Sequence, residues 1–217
     1  FGLKDQRVMT YNLGYYTTRY LKIAKWYNLC VAHTQGGNTK FYVNGVPVYD
    51  TGGATSSAQP SFTNWSFGAG GVSSSSNGDE PFIGSISLIS IYDRELSATE
   101  IKTNFDALAS NYDYASGSIS SSNLICHLDV SSLTDQTTNT NNFTLATGGA
   151  TPTYTSSGGI SYFQFDGTDD YASNSHPTAF DFGTDSFTIG MWCMITSFDV
   201  LNDAFFSTHD TGAASNF

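Results

Sequence analysis

Three aspartates in one short stretch are the residues with the clearest capacity for chemistry. Asp166, Asp169 and Asp170 lie beside Gly167, and hard oxygen ligands clustered at a glycine-containing turn suit Ca²⁺. The spacing lacks the full pattern of a calcium-binding loop and its closing bidentate glutamate. Two roles therefore stay open, a calcium site or a structural turn, and the sequence assigns no residue as a metal ligand.

Paired carboxylates for glycoside hydrolysis are a second chemistry to consider. A retaining glycosidase needs two carboxylates about 5 Å apart. The chain has three glutamates, Glu80, Glu95 and Glu100, and none of them begins a Glu-x-Asp strand pattern. We expect these glutamates to serve turns and helix capping, so the sequence predicts no catalytic residue.

The histidines offer no recognisable site. They are scattered through the chain at His33, His127, His176 and His209, and no pair has the spacing of zinc ligands. No Ser or Cys lies in a nucleophile-elbow context. His127 and Asp129 are two apart on one strand face, which leaves an acid–base or metal role open beside a structural one.

Two aromatic positions near polar loops are candidates for stacking on sugar rings. They are Trp65, which is followed by a Ser- and Gly-rich stretch over 66–77, and Tyr15-Tyr16. Trp65 also lies in the run 62–67, whose alternation is typical of a strand. That alternation favours a position in the core for Trp65.

Composition favours many short strands and disfavours polyanionic partners. Only 12% of the residues are charged and 15% are aromatic, and the formal net charge is -11, with 8 Lys and Arg against 19 Asp and Glu. Binding to nucleic acid or to an anionic membrane draws on clustered cations, so we expect neither partner. The sequence has no apolar run long enough to span a bilayer, so we expect no membrane insertion.

The cysteines do not indicate a disulfide framework. Cys30, Cys126 and Cys193 are odd in number and far apart, whereas a disulfide scaffold has an even and denser set. Cys30 and Cys193 lie in apolar runs, where a thiol acts as a small buried hydrophobe. No motif for an organic cofactor is present, and none is expected.

Turn signals divide both halves of the chain into strands. Predicted strands cover 25–33, 40–43, 46–49, 61–68, 82–92, 124–130, 161–165, 171–174 and 187–196. Asn44-Gly45 predicts a type I′ hairpin, and Pro47 indicates an edge position for the return strand. In the last strand both faces are apolar, which is typical of a strand inside a layered structure.

Two connecting segments and one helix complete the pattern. Ser97 and Glu100 fit a capping box, and Ile101, Phe105 and Leu108 recur at helical spacing, which predicts a helix over 98–110. A Ser-rich, uncharged stretch at 114–123 is interpreted as a linker. The Thr- and Asn-rich segment 131–142 predicts a surface loop.

These pieces resemble the laminin G-like, or concanavalin A-like, jelly-roll family. The first half carries Trp26-Tyr27, Phe41-Tyr42-Val43-Asn44-Gly45, Phe82-Ile83-Gly84-Ser85-Ile86 and Ile91-Tyr92-Asp93-Arg94-Glu95-Leu96-Ser97. The second half carries Leu128-Asp129, Phe165-Asp166-Gly167-Thr168-Asp169-Asp170-Tyr171 and Phe187-Thr188-Ile189 with Trp192. The resemblance implies an all-β fold, an antiparallel jelly-roll β-sandwich with one short α-helix near 98–110.

The order of these pieces departs from the family. Residues 1–113 resemble the closing half of a laminin G-like sandwich, 114–123 the linker, and 124–217 the opening half. The order fits a window on a tandem array, a circular permutation, or a subunit whose halves pair with neighbours. A half sandwich would leave an apolar face and unpaired strand edges in water, so we expect the halves to pair, within one chain or between chains.

The resemblance implies a non-enzymatic structural or adhesion module of a virion, or of an extracellular or cell-surface protein. Its expected partners are other copies or neighbouring structural proteins, with a host-surface glycan as a further option. The alternative is a carbohydrate-binding module of a larger secreted enzyme. A glycosidase in its own right is the third interpretation.

Overall fold

The computed structural model describes most of the chain. The described residues are 2–4, 6–10, 15–16, 20–53, 64–70, 80–112, 119–129, 133–175, 178–182, 185–198 and 203–209. Predicted strand residues 61–63 and 130 lie outside them, as do 131 and 132 of the predicted loop.

Strands dominate the described residues. In chain order they are β1 (Gly2–Lys4), β2 (Arg7–Thr10), β3 (Tyr15–Tyr16), β4 (Trp26–His33), β5 (Thr39–Val43), β6 (Val46–Asp50), β7 (Asn64–Phe67), β8 (Ile83–Tyr92), β9 (Leu124–Asp129), β10 (Thr134–Asp135), β11 (Thr144–Leu145), β12 (Thr153–Ser157), β13 (Ile160–Asp166), β14 (Ala172–Asn174), β15 (Phe187–Ile195), β16 (Asp203–Ala204) and β17 (Phe206–His209). The helix α1 covers Ala98–Leu108, and 3-10 turns cover Ala109–Tyr112, Gly148–Ala150 and Thr178–Phe180.

The largest sheet within the described part of the chain contains nine antiparallel strands. Seven follow the order β10-β9-β8-β15-β4-β5-β6, while β13 pairs with β8 beyond the end of β9 and β12 pairs with β13. β8 pairs with β13 through Ile83–Ile86 and with β9 through Leu88–Tyr92. The Asn44-Gly45 hairpin is confirmed, with positive φ at both residues, and β6 is an edge strand as predicted.

Strands from the two halves of the chain alternate within this sheet. β15 lies between β4 and β8, so that Met191 is opposite both Leu29 and Ile89. The two segments that resemble a closing and an opening half therefore pair within one chain. The boundaries proposed for these halves, at 113 and 124, remain a prediction.

Two smaller sheets form the second layer of the sandwich. Their orders are β16-β1-β2-β3 and β11-β14-β7-β17, and Phe205 connects β16 to β17. Between the layers lies one buried cluster, in which Trp65 contacts Phe180 and Phe206 at ring-centroid distances of 5.4 and 5.2 Å. The sandwich predicted from the sequence is confirmed.

The helix covers the outer face of the larger sheet. Its capping box is present, with Ser97 and Glu100 bonded reciprocally. α1 ends at Leu108 and tightens into a 3-10 turn, as final helical turns commonly do. Trp192 of β15 stacks on Tyr112 at 4.0 Å, so both faces of β15 are buried as predicted. Among the described residues no helix is long and apolar enough to cross a bilayer.

The predicted surface loop over 131–142 is largely confirmed in its described part, where most residues lie outside strands and are exposed. This part contains strand β10 and the buried side chain of Asp135. Asp135 Oδ1 accepts hydrogen bonds from the N–H groups of His127 and Thr137, each at 2.9 Å, and Oδ2 accepts from Asn141 N–H at 2.9 Å. One carboxylate thus satisfies several backbone donors, and it orders a segment whose low hydrophobicity suggested a loop.

Gly68 is the point at which strands of both halves meet, and it provides a stability test. It has a φ of +91, donates to the Phe205 carbonyl at 3.1 Å and accepts from Phe82 N–H at 2.8 Å. A Cβ at this position would overlap the Phe165 ring. We expect Gly68→Ala to lower the free energy of unfolding by about 1–2 kcal/mol from the positive φ plus about 1–3 kcal/mol from overpacking.

The matched control is Gly52→Ala, because Gly52 has a φ of +70 and open space around its Cβ position. It should lose only the backbone contribution, about 1–2 kcal/mol. Urea unfolding of both variants measures the difference. Equal losses would show that the contact between Gly68 and Phe165 does not constrain the fold.

Candidate functional site

The three aspartates noted in the sequence lie together on the turn between β13 and β14. Their carboxylate oxygens lie within 4.8 Å of one another. Asp170 Oδ2 accepts a hydrogen bond from Asp166 N–H at 2.9 Å, and Asp166 Oδ1 accepts one from Thr168 N–H at 2.8 Å. Two of the three carboxylates therefore hold the backbone of the turn.

Electrostatics at this turn fit either of the two roles left open by the sequence. Burial raises the pKa of Asp170, and the nearby charges of Asp166 and Asp169 add to the rise, while the hydrogen bond from Asp166 N–H opposes it. A cation would relieve that repulsion. The turn also has a packing role, because Gly167, with a φ of +80, lies against the Ile83 side chain.

Glu100 makes the helix-capping interaction predicted for it, whereas Glu95, expected at a turn, contacts residues that are distant in sequence. Glu100 caps α1 and forms an ion pair with Arg94, with Nη2 and Oε1 2.6 Å apart. Glu95 accepts hydrogen bonds from Thr34 Oγ1 at 2.7 Å and Lys40 Nζ at 2.9 Å. Burial opposes the ionisation of Glu95, but these two donors outweigh it and lower its pKa. The third, Glu80, lies just before β8, and its backbone carbonyl accepts from Ala204 N–H at 3.0 Å.

The described histidines take part in local hydrogen bonds. His33 Nδ1 is 3.0 Å from Thr39 Oγ1, and His127 Nδ1 is 2.9 Å from Ser90 Oγ. Outside the described structure lie His176 and the side chains of Asp129 and His209. The proposed pair of His127 and Asp129 therefore stays a prediction.

The thiols are buried hydrophobes, as predicted for Cys30 and Cys193. Cys30, Cys126 and Cys193 are free and buried. Burial raises the pKa of each thiol. Since the thiolate is the reactive form, none of the three is suited to nucleophilic chemistry.

Of the aromatic candidates, Trp65 is a core residue. Only 1% of its surface is exposed, which confirms the interpretation from the alternating run 62–67. Tyr15-Tyr16 form the short strand β3, paired with Thr10 and Met9, and their side chains lie outside the described structure.

A different aromatic is presented to solvent by residues 20–25, here called the Tyr20 loop. Tyr20 is 64% exposed and Ile23 is 53% exposed. The loop is held in place, because Leu21 N–H donates to the Gln6 carbonyl at 2.8 Å and Ala24 N–H donates to the Ile195 carbonyl at 2.8 Å. These bonds hold the backbone at Leu21 and Ala24, the residues that directly follow Tyr20 and Ile23.

The Tyr20 loop contains two cations and has a third beside it. The Arg7 guanidinium carbon lies 5.6 Å from the centroid of the Tyr20 ring, and Lys22 and Lys25 are exposed. In sequence, five of the 8 Lys and Arg lie within residues 1–25, together with a single acidic residue, Asp5. Sequence reasoning from the total charge missed this surface, and the local clustering of cations was the signal that could have found it.

The cleft between α1 and the outer face of the larger sheet has a structural role. Its volume of about 20 Å³ is room for about one water molecule. Asn104 Nδ2 donates to Tyr92 Oη at 2.9 Å, and Tyr92 Oη donates to the Ser120 carbonyl at 3.0 Å. Leu96 N–H donates to Thr188 Oγ1 at 2.8 Å. These polar groups tie the helix and the described part of the predicted linker to the sheet.

The two-layered architecture defines a concanavalin A-like β-sandwich, the fold of laminin G-like binding modules. Residues 7–102 match the family model described as the concanavalin A-like lectin/glucanases superfamily, Laminin_G_3. The laminin G-like resemblance is thus confirmed over this segment. Neither the curated proteins nor the solved structures yielded a match to the chain.

Glu100 makes a testable contribution to acid stability. The hydrogen bond from Arg94, followed by those from Ser97, lowers its pKa from 4.5 to about 2. Because the folded-state pKa is the lower one, the stabilisation is present above pH 4.5 and is lost as the pH falls through about 2. Its size is about 1 kcal/mol or less, since the side chain is 34% exposed.

We therefore expect Glu100→Gln to flatten the pH dependence of the unfolding free energy between pH 4.5 and about 2. Asp106→Asn, which removes an exposed ion pair with Lys102, is the control on the same helix. Chemical denaturation at a series of pH values measures both. An unchanged slope in Glu100→Gln would contradict the assigned pairing.

The acidic turn is tested by calcium titration. If the aspartates serve the turn, as we expect, Ca²⁺ leaves the melting temperature unchanged relative to Mg²⁺. A ligand that binds only the native state must raise it. Asp169→Asn removes one carboxylate and leaves the turn bonds of Asp166 and Asp170 in place. A calcium-dependent rise that disappears in this variant would show that the turn is a cation site.

Proposed function

We propose that the protein is a non-enzymatic structural or adhesion module of a virion or a cell surface. It contacts other copies or neighbouring structural proteins, and it also binds a glycan at the Tyr20 loop. The observation that carries the glycan contact is a loop, bonded to the rest of the fold at Leu21 and Ala24, that presents an exposed aromatic ring beside a guanidinium group.

The chemistry of the loop matches that of a sugar. A tyrosine ring has a flat apolar face and a polar hydroxyl, which complement the C–H face and the hydroxyl rim of a pyranose. Lys22, Lys25 and Arg7 add positive charge and donors, so a sugar that bears a carboxylate or sulfate is favoured. Because the backbone next to Tyr20 is already held by the hydrogen bond of Leu21 N–H, less conformational entropy is lost on binding.

The non-enzymatic assignment is supported by the use made of the carboxylates. Glu95 and Glu100 are engaged by cations and helix capping. In the turn of Asp166 and Asp170, backbone N–H groups occupy one carboxylate oxygen of each residue. A glycosidase instead needs an acid and a base that face each other across a substrate cleft.

A carbohydrate-binding module of a larger secreted enzyme is the second candidate. The match of residues 7–102 to a superfamily of lectins and glucanases favours it. The two candidates share the glycan contact and differ in whether the chain also assembles with copies of itself or with structural proteins. Under the first candidate function the protein is located in a virion or outside the cell. Under the second it is secreted as part of an enzyme.

A glycan array that contains neutral and acidic sugars tests the proposal. We expect selective binding, weakened by salt for acidic sugars because exposed charges are screened. With a soluble monovalent glycan, Tyr20→Ala should weaken binding at least tenfold. Tyr154→Ala is the matched control, since Tyr154 is 48% exposed on a different element, and it should bind normally.

Three outcomes would contradict the proposal. Equal loss in both tyrosine variants would remove the Tyr20 loop as the glycan site. Time-dependent cleavage of the bound glycans, followed by mass spectrometry, would overturn the non-enzymatic assignment. Absence of both glycan binding and association with other copies would overturn the adhesion and structural role.

A further inference from the structure

One edge of the larger sheet is long and unprotected. β12 pairs with β13 on one side, and no other described strand pairs with its second side. Thr155 is half-buried and the other four residues of the strand are exposed. A row of unpaired N–H and C=O groups is a template for pairing with another strand.

The other described edges carry features that discourage pairing. β6 contains Pro47 and ends at Asp50, and side chains of α1 lie against its turn at Gly45. β3, β10, β11 and β16 are only two residues long, and β17 begins with buried Phe206. Proline, charge, short length and burial are the usual means of protecting an edge. The segment Thr153–Ser157 has none of them.

Charge favours a second copy of the same chain at this edge. The chain has a net charge of -11, so two copies repel each other across most of their surfaces. From Gln136 to Phe165 the sequence contains no charged residue, and this stretch includes all of β12. Two copies that meet there bring no like charges into contact.

We propose that β12 of one molecule pairs antiparallel with β12 of a second copy, about a two-fold axis at Thr155. The pairing joins two nine-stranded sheets into one continuous sheet. It deepens the proposed structural role, on which it rests, by assigning a surface and a partner.

The register follows from the hairpin that presents the strand. Gly158-Gly159 form a two-residue turn with positive φ at both positions, so Ser157 and Ile160 are the hydrogen-bonded pair beside it. Bonded and non-bonded pairs alternate, and Tyr154 and Ser156 therefore direct their N–H and C=O groups outward. In the dimer these groups form about four main-chain hydrogen bonds.

The side-chain contacts expected across the two-fold axis are compatible with this register. Thr155 faces Thr155 of the second copy as a close, non-hydrogen-bonded pair. Tyr154 lies diagonal to Tyr154 of the second copy, within reach for aromatic contact. Five residues on each side make a small interface, so the association is expected to depend on concentration.

Sedimentation over a concentration series tests the proposal with the full chain. We expect the mass to rise from 23.4 kDa toward twice that value, and more readily at high salt, because the remaining charges repel. Thr155→Lys places two like charges opposite each other and should weaken the dimer several-fold. Thr155→Val is the matched control and should dimerise as the unchanged chain does.

Mixing charge variants makes the test specific for the two-fold axis. Thr155→Lys and Thr155→Glu should each dimerise several-fold more weakly than the unchanged chain, and an equimolar mixture should regain the lost affinity. Ser156→Pro removes an outward N–H without removing a bond to β13, so it should abolish the dimer, and melting curves report whether each variant is folded.

Several results would overturn the inference. They are a chain that stays monomeric at every concentration, a dimer unaffected by Thr155→Lys or Ser156→Pro, or folded charge variants that do not associate when mixed. Monovalent glycan binding at the Tyr20 loop, measured on Thr155→Lys, reports on the proposed function separately. If Thr155→Lys loses the dimer but still binds the glycan, the β12 contact and the glycan site of the Tyr20 loop are independent of each other.

Discussion

The pairing of β15 on both of its sides is the constraint on which the rest of the structure depends. This strand comes from the second half of the chain, yet its neighbours β4 and β8 both come from the first. Its inner side chains enter the core between the layers, and Trp192 packs under the helix on the other face. Neither half contains a complete larger sheet, so each would expose apolar faces and strand edges without the other. The unusual order of the family-like pieces does not prevent folding. Strands that pair in a sheet must be adjacent in space, but they need not be adjacent in sequence.

The same strand also fixes the helix. Thr188 of β15 accepts from Leu96 N–H and donates to the Arg94 carbonyl, at 2.8 and 2.9 Å. The segment that enters α1 is therefore bonded to the second half before the helix begins. Arg94 then pairs with Glu100, which caps the helix. One of the 8 cations of the chain is thus used to hold the start of the helix.

The elements predicted from the sequence are those with a strong local pattern. The Asn44-Gly45 turn, the capping box at Ser97 and the two-faced apolar run of β15 each carry their own physical signal. β12 was missed because its Thr and Ser residues show no apolar alternation. An edge strand exposed on both faces is ordered by its partner and not by its own burial, and Gly158-Gly159 was its one local signal. The Tyr20 loop was missed for another reason, since exposure depends on tertiary bonds that link Leu21 and Ala24 to distant residues.

The distribution of charge separates the two proposed contact surfaces. Cations concentrate in residues 1–25, a charge-free stretch spans 136–165, and most acidic residues lie elsewhere. A strongly acidic molecule can approach a copy of itself closely only where charge is absent, and it can attract an acidic sugar only where cations are gathered. The Tyr20 loop is bonded to Gln6 and to the end of β15, whereas β13 is the strand that pairs with β12 among the described residues. Because the two surfaces depend on different supports, association through the β12 edge leaves the bonds that hold the Tyr20 loop unchanged. In the proposed dimer each copy would still present its own Tyr20 loop, which would raise the avidity for a multivalent glycan surface without any new contact.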